Sequence, residues 1–194
     1  MINKFNKVLL VDADLIKSLS VINSNVADEF ISIAIRDTQF VDLQSLIGTR
    51  LLNRLMELIY NDIKGLEDTI NDANNVAYKD LLDNLIMPFL VHRTAVNTLI
   101  PVSYKVRNMG VVKTSGNNIA NADFLDIQYL IKYYSTQADF YKSKISKFLC
   151  VYRDAFKELD EEIEAWENAP MLGKDFAESE LWLGGSSNKN NCGC

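Results

Sequence analysis

The chain has 194 residues, room for one domain with an ordinary hydrophobic core, and its 48% hydrophobic content with only three prolines argues against a disordered body. Twenty Lys plus Arg against 26 Asp plus Glu leave a net charge of −6, a balance that opposes adhesion to a phosphate backbone. No segment has the roughly 20 consecutive apolar residues that a membrane-spanning helix needs, and the start, MINKFNKVLLVDADL, has too short an apolar run for a signal peptide.

The spacing of apolar residues predicts mainly helices. Asp12 can cap a short one through about Ser20, and VINSN reads as a turn before a second helix from near Val26. In that helix Phe30, Ile33, Ala34, Asp37, Val41 and Gln44 fall at near-helical spacing, and Ile31 and Ile35 widen the apolar side. So broad a side predicts cover on more than one flank. Gly48 reads as a helix end or tight corner, Thr49 as the cap of the next helix, and Leu51, Leu52, Leu55, Leu58 and Ile59 as its apolar stripe. A polar connection from Asn61 to about Val76 follows, expected as a loop or frayed helix ends.

From Tyr78 to Leu99 the apolar positions lie along one side of a helix about 33 Å long. Pro88 interrupts it and predicts a bend or two abutting helices, because its ring crowds the carbonyl of Asn84 and it has no amide hydrogen. His92 lies on the same helix with no Cys or second His near it, the setting of a structural histidine rather than a metal ligand. Pro101 should end the helix. VSYKV and VVKTS then read as two strands around RNMG, a small β-hairpin near residues 102–114 that must rest on the helical body or on another chain.

The longest helix is expected from near Asn121. Ile127, Ile131, Tyr134, Ala138, Tyr141, Ile145, Phe148 and Tyr152 advance by steps of four and three, an apolar seam that can face the core or share residues with a neighbouring copy. After it, Phe156, Leu159, Ile163 and Trp166 give an intermittent stripe. The acids between Tyr152 and Pro170 make the opposite side a solvated face or a surface toward a partner or an aqueous channel. Residues 1–183 thus read as one helical domain and 184–194 as a flexible or partner-ordered tail. Cys150, Cys192 and Cys194 make an odd count without a disulfide-rich framework, pointing to a reducing compartment. The CysGlyCys end offers at most two of the four ligands that structural zinc usually takes.

The chain contains no GxxxxGK[ST] phosphate loop, no GxSxG nucleophile elbow and no HExxH metal helix, so neither enzymatic activity nor a cofactor or metal is expected. The segments LVDADLIKSLSVINSNVADEFI, FVDLQSLIGTRLLNRLMELI, YKDLLDNLIMPFLVHRTAVNTLIPVSYKVRNMGVV and YYSTQADFYKSKISKFLC, taken in order from Val8 to Cys150, resemble the head-to-tail connector proteins of tailed phages of the crAss-like, Bacteroidales-infecting type. The resemblance implies a helical adaptor, usually a twelvefold homo-oligomeric ring, between the capsid portal and the tail. Its partners would be the portal protein and other tail or connector rings. DNA would pass through the channel without sequence-specific binding, and no membrane would be involved. The protein would sit in the virion at the portal–tail junction after assembly in the host cytoplasm. Carried over, Tyr104, Lys105, Val106, Arg107, Asn108, Met109, Val111, Val112 and Lys113 form a projecting protein-contact hairpin. The rival reading is a small nucleic-acid-binding module using His92, Arg93, Lys105, Arg107 and Lys113, although these do not compose a recognised reading motif.

Overall fold

Asp12 starts the first helix as its sequence position suggests: its carboxylate accepts a hydrogen bond of 2.7 Å from the amide of Leu15, satisfying one of the free donors at the start of α1, Ala13–Leu19. A computed structural model describes residues 8–107, 110–113 and 124–160, with side chains for 8–99 and 127–160. The acidic stretch past residue 160, the 184–194 tail, the helix start near Asn121 and the hairpin tip at Asn108 and Met109 lie outside the described residues. What is described is mainly helical.

The second helix, α2 (Asp28–Asp37), begins two residues later than the apolar pattern suggests, and its Asp28 is paired with Lys17 of α1. It runs on through a π-helical stretch, Thr38–Leu43, into a short α3, Gln44–Ile47. A π turn holds one more residue than an α turn, so consecutive polar residues are carried onto the buried side. Thr38 and Gln39 are both fully buried. The Thr38 hydroxyl donates to the Ala34 carbonyl at 2.7 Å. The Gln39 amide donates to the carbonyl of Val8 at 3.0 Å and its oxygen accepts from the amide of Leu10 at 2.9 Å. Gln39 therefore holds the incoming chain as a neighbouring strand would, and satisfies backbone groups that otherwise lose water without compensation.

Gly48 makes the corner between α3 and α4 (Thr49–Lys64) at φ 83° and ψ 160°, a region closed to side chains with a Cβ. Thr49 does not cap α4 as expected. Gly48 holds the cap position, and the Thr49 hydroxyl instead accepts from the Gln44 side chain at 3.0 Å. Leu51, Leu52, Leu55, Met56 and Leu58 bury the inner stripe of α4. Gly65 ends it in the left-handed conformation, which makes the helix longer than the connection from Asn61 had suggested.

The long helix expected from Tyr78 is built in three pieces. A short α5, Val76–Leu81, passes through a π-helical stretch, Leu82–Ile86, into α6, Met87–Ser103. Pro88 thus falls at the second position of α6, where the hydrogen-bonding pattern changes from π to α and an interior amide is least missed. Pro101 does not end the helix, which continues to Ser103. Phe89, Leu90, Val91, Thr94, Ala95, Val96 and Thr98 are all buried, so α6 is covered on most sides and forms the centre of the fold. α1, α2 and α7 (Phe124–Val151) pack around it.

On α7 the expected seam is real: Ile127, Tyr134, Ala138 and Ile145 are buried and Ile131, Tyr141 and Phe148 partly so. Tyr152 departs from it, at 53% exposed, because the helix ends at Val151 and a 3₁₀ turn, Arg153–Ala155, follows. That turn sends Phe156 back into the core, fully buried edge-on to Tyr78 at 5.1 Å. Directly after α6, the backbones of β1 (Tyr104–Arg107) and β2 (Gly110–Lys113) pair antiparallel, Tyr104 opposite Lys113 and Arg107 opposite Gly110.

Candidate functional site

The contact residues picked from the sequence all follow the C-terminal end of the central helix α6. The backbones of Tyr104, Lys105, Val106, Arg107, Val111, Val112 and Lys113 lie in the paired segments, while Asn108 and Met109 lie outside the described residues. A segment continuous with a buried helix has a firm base, which a two-stranded ribbon needs.

His92 and Arg93, the other groups of the nucleic-acid reading, are engaged inside the molecule. The His92 ring stacks on Tyr141, centroids 5.7 Å apart and planes at 21°, and lies 5.9 Å from Tyr134. Burial lowers its pKa from the ordinary histidine value, which favours the neutral ring. Tyr134 in turn accepts a 2.9 Å hydrogen bond from the amide of Val21, joining α7 to the turn after α1. Arg93 donates to both oxygens of Asp42, from Nε and from Nη2, each at 3.0 Å. Asn97 donates to the Thr38 hydroxyl at 2.9 Å. The π-helical stretch thereby presents Thr38 and Asp42 to one face of α6, and the planar fork of Arg93 finds a matching carboxylate.

A second polar cluster closes the far end. Arg54 of α4 donates to Asp68 at 2.8 Å and to Glu57 at 3.2 Å, and lies 3.9 Å from Glu158. Asp68, in the left-handed region at φ 60°, also accepts from Asn75 at 2.9 Å. Those hydrogen bonds, from Asn75 first and then Arg54, hold the Asp68 carboxyl below its usual range. The Tyr78 hydroxyl donates to Glu158 at 2.8 Å, and burial followed by that hydrogen bond raises its pKa. All these groups partner one another, which marks a clasp for the loop and the C-terminal turn rather than a reactive site. Among the described residues no group of three or more His, Cys, Asp or Glu could hold a metal ion, and no helix is long and apolar enough to cross a membrane.

Exposed apolar groups lie elsewhere, with Leu19, Ile63, Val76 and Val151 among them. On α7, Tyr129, Tyr133 and Phe140 are 71%, 51% and 52% exposed on the side turned away from the buried seam. Lys144 caps this row, its ammonium 4.6 Å from the centre of the Phe140 ring. On α2 and the π-helical stretch, Ile33 and Val41 are 61% and 66% exposed, with Phe30 exposed beside them. α1 and α6 both pack against α2, where Ile31, Ala34, Ile35 and Thr38 are buried, whereas Ile33 and Val41 face water. A shallow hollow of about 280 Å³ opens here between Arg36, Asp37, Phe40 and Val41. The outer row of α7 had a sequence signal, the spacing 129, 133, 136, 140, but a seam of tyrosines and isoleucines beside it takes the eye first.

A family model described as a family of unknown function, DUF6712, matches residues 43–165, which takes in α4, α6 and α7. No curated protein and no solved structure matches the chain.

Proposed function

The chain belongs to DUF6712, a family of unknown function, and we propose that it is a structural virion protein, a connector that forms a ring between the capsid portal and the tail. The observation that carries this reading is the ordered resemblance from Val8 to Cys150 to the connector proteins of crAss-like phages. Two features support it. A single copy leaves aromatic and aliphatic side chains of two helices in water, as a subunit awaiting neighbours does. The central helix α6 leads directly into the antiparallel segments that would form the projecting hairpin.

In this reading the helices are the ring body, and the stretch from Tyr104 to Lys113 is a prong toward the portal or an adjacent copy. No catalysis, cofactor or metal is involved, and DNA passes through the channel without being read. The protein works in the virion at the portal–tail junction, after assembly in the host cytoplasm.

Two of the five basic groups of the competing nucleic-acid module have partners within the chain. His92 is stacked against tyrosines and Arg93 is held by Asp42, which supports the connector over the rival. The test compares wild type with the double variant Lys105→Glu, Arg107→Glu for attachment to the cognate portal and for binding to duplex DNA in moderate salt. The connector reading expects portal attachment by wild type, its loss in the variant with an unchanged circular dichroism spectrum, and no DNA retention by either. Salt-sensitive DNA binding by wild type without portal attachment would establish the rival.

A further inference from the structure

The chain has one histidine, and it stands in the joint between α6 and α7. On α7, Tyr134 and Tyr141 are seven residues apart, about two turns of helix, and the His92 ring of α6 reaches both, 5.9 Å from the first and 5.7 Å from the second. The seam residue between them, Ala138, is buried and carries only a methyl group, which leaves room for the imidazole. Tyr134 also fastens α7 to the turn after α1, by accepting from the Val21 amide. One side chain of the central helix thus grips two turns of α7.

The imidazole is packed for one charge state. Its Nδ1 is buried and has no hydrogen-bond partner among the described residues. A neutral ring tolerates this by carrying its proton on Nε2, which leaves a bare lone pair on Nδ1. An imidazolium does not, because both nitrogens then carry N–H groups and one of them is a buried donor without an acceptor. The tyrosine faces attract a cation, but they do not replace that acceptor. The imidazole lies at 21° to the Tyr141 ring, so an N–H bond in its plane runs along the phenol rather than into its face.

Among the described residues no neighbouring charge offsets this. Asp42 of the π-helical stretch is taken by Arg93, Lys17 of α1 and Asp28 of α2 are paired, and Asp139 of α7 is exposed and acts on Arg93. Asp14, Arg36, Asp37 and Asp83 are exposed as well. Burial is what opposes the ionisation of His92.

We infer that His92 is an acid-sensitive latch between α6 and α7: protonation of its imidazole releases α7 from the central helix while the rest of the core stays folded. The acid response is then local, and α7 is the first of the helices to lose its packing as pH falls. The latch is independent of the connector ring proposed above.

Amide hydrogen exchange of the full-length chain, followed by mass spectrometry and corrected for the intrinsic rate at each pH, reads α7 and α4 separately. Exchange in the peptides from Ile127 to Leu149 should rise by up to about tenfold for each pH unit below about 6.5, while those from the inner stripe of α4 keep their protection. His92→Phe, which keeps an aromatic ring with no proton to gain, should hold α7 closed at about pH 5. In wild type, nitrogen NMR of the one imidazole should show the neutral Nε2–H form at about pH 7 and charging that follows the opening of α7. A wild-type α7 as protected at about pH 5 as at about pH 7 would overturn the latch, whether or not the variant folds. So would loss of protection in α4 and α7 together, or an equal acid response of α7 in wild type and a folded His92→Phe variant.

Discussion

Gly48 and His92 show how much single positions decide. At φ 83° and ψ 160°, Gly48 lets α3 turn into α4 while the Gly48 amide still reaches the Gln44 carbonyl at 3.0 Å. Gly48→Ala should cost about 1–3 kcal/mol, read as a lower urea midpoint with an unchanged slope. His92 acts through protonation. Its pKa is lowered by burial from the ordinary 6.5, so the unfolded chain binds the proton more readily than the folded one. Its contribution is therefore present above about pH 6.5 and lost as pH falls from there toward the lowered folded value. His92→Phe should flatten the stability profile between about pH 5 and 7, as followed by thermal melts; an unchanged profile would show that the ring titrates alike in both states. Gln39 belongs at this scale as well. Its amide replaces two backbone partners, so Gln39→Ala should cost about 1–3 kcal/mol and speed amide exchange at Leu10.

At the scale of elements, the C-terminal turn is held by one ring and one clasp. Phe156 is fully buried beside Tyr78 and Phe148, and Glu158 accepts from the Tyr78 hydroxyl. Phe156→Ala should destabilise the protein by about 3–5 kcal/mol and open the segment after Val151 to proteolysis. The helices were legible from apolar spacing, which found most of the inner faces of α4 and α7 but missed Met56 and Leu149 and included Tyr152, and the Asp12 cap and Gly48 corner were legible from their chemistry. The two π-helical stretches were not. An α period assigns Thr38 and Gln39 to different degrees of cover, whereas the wider turn buries both, and no single-residue propensity marks where that turn will fall. The same widening accommodates Pro88, whose ring had suggested a bend or break. The outer row of α7 became visible only once its inner seam was seen to be satisfied by the core.

At the scale of the molecule, internal polar groups are largely engaged in clasps, while large apolar groups on several elements, among them Ile33, Val41, Ile63, Tyr129 and Phe140, stand exposed. That distribution suits a part of an assembly. Native mass spectrometry of the full-length chain mixed with its portal protein tests the central claim most directly. The account predicts a closed set of copies in one fixed stoichiometry, bound to the portal. A chain recorded only as a single copy across a wide concentration range, with no mass added to the portal, would contradict it.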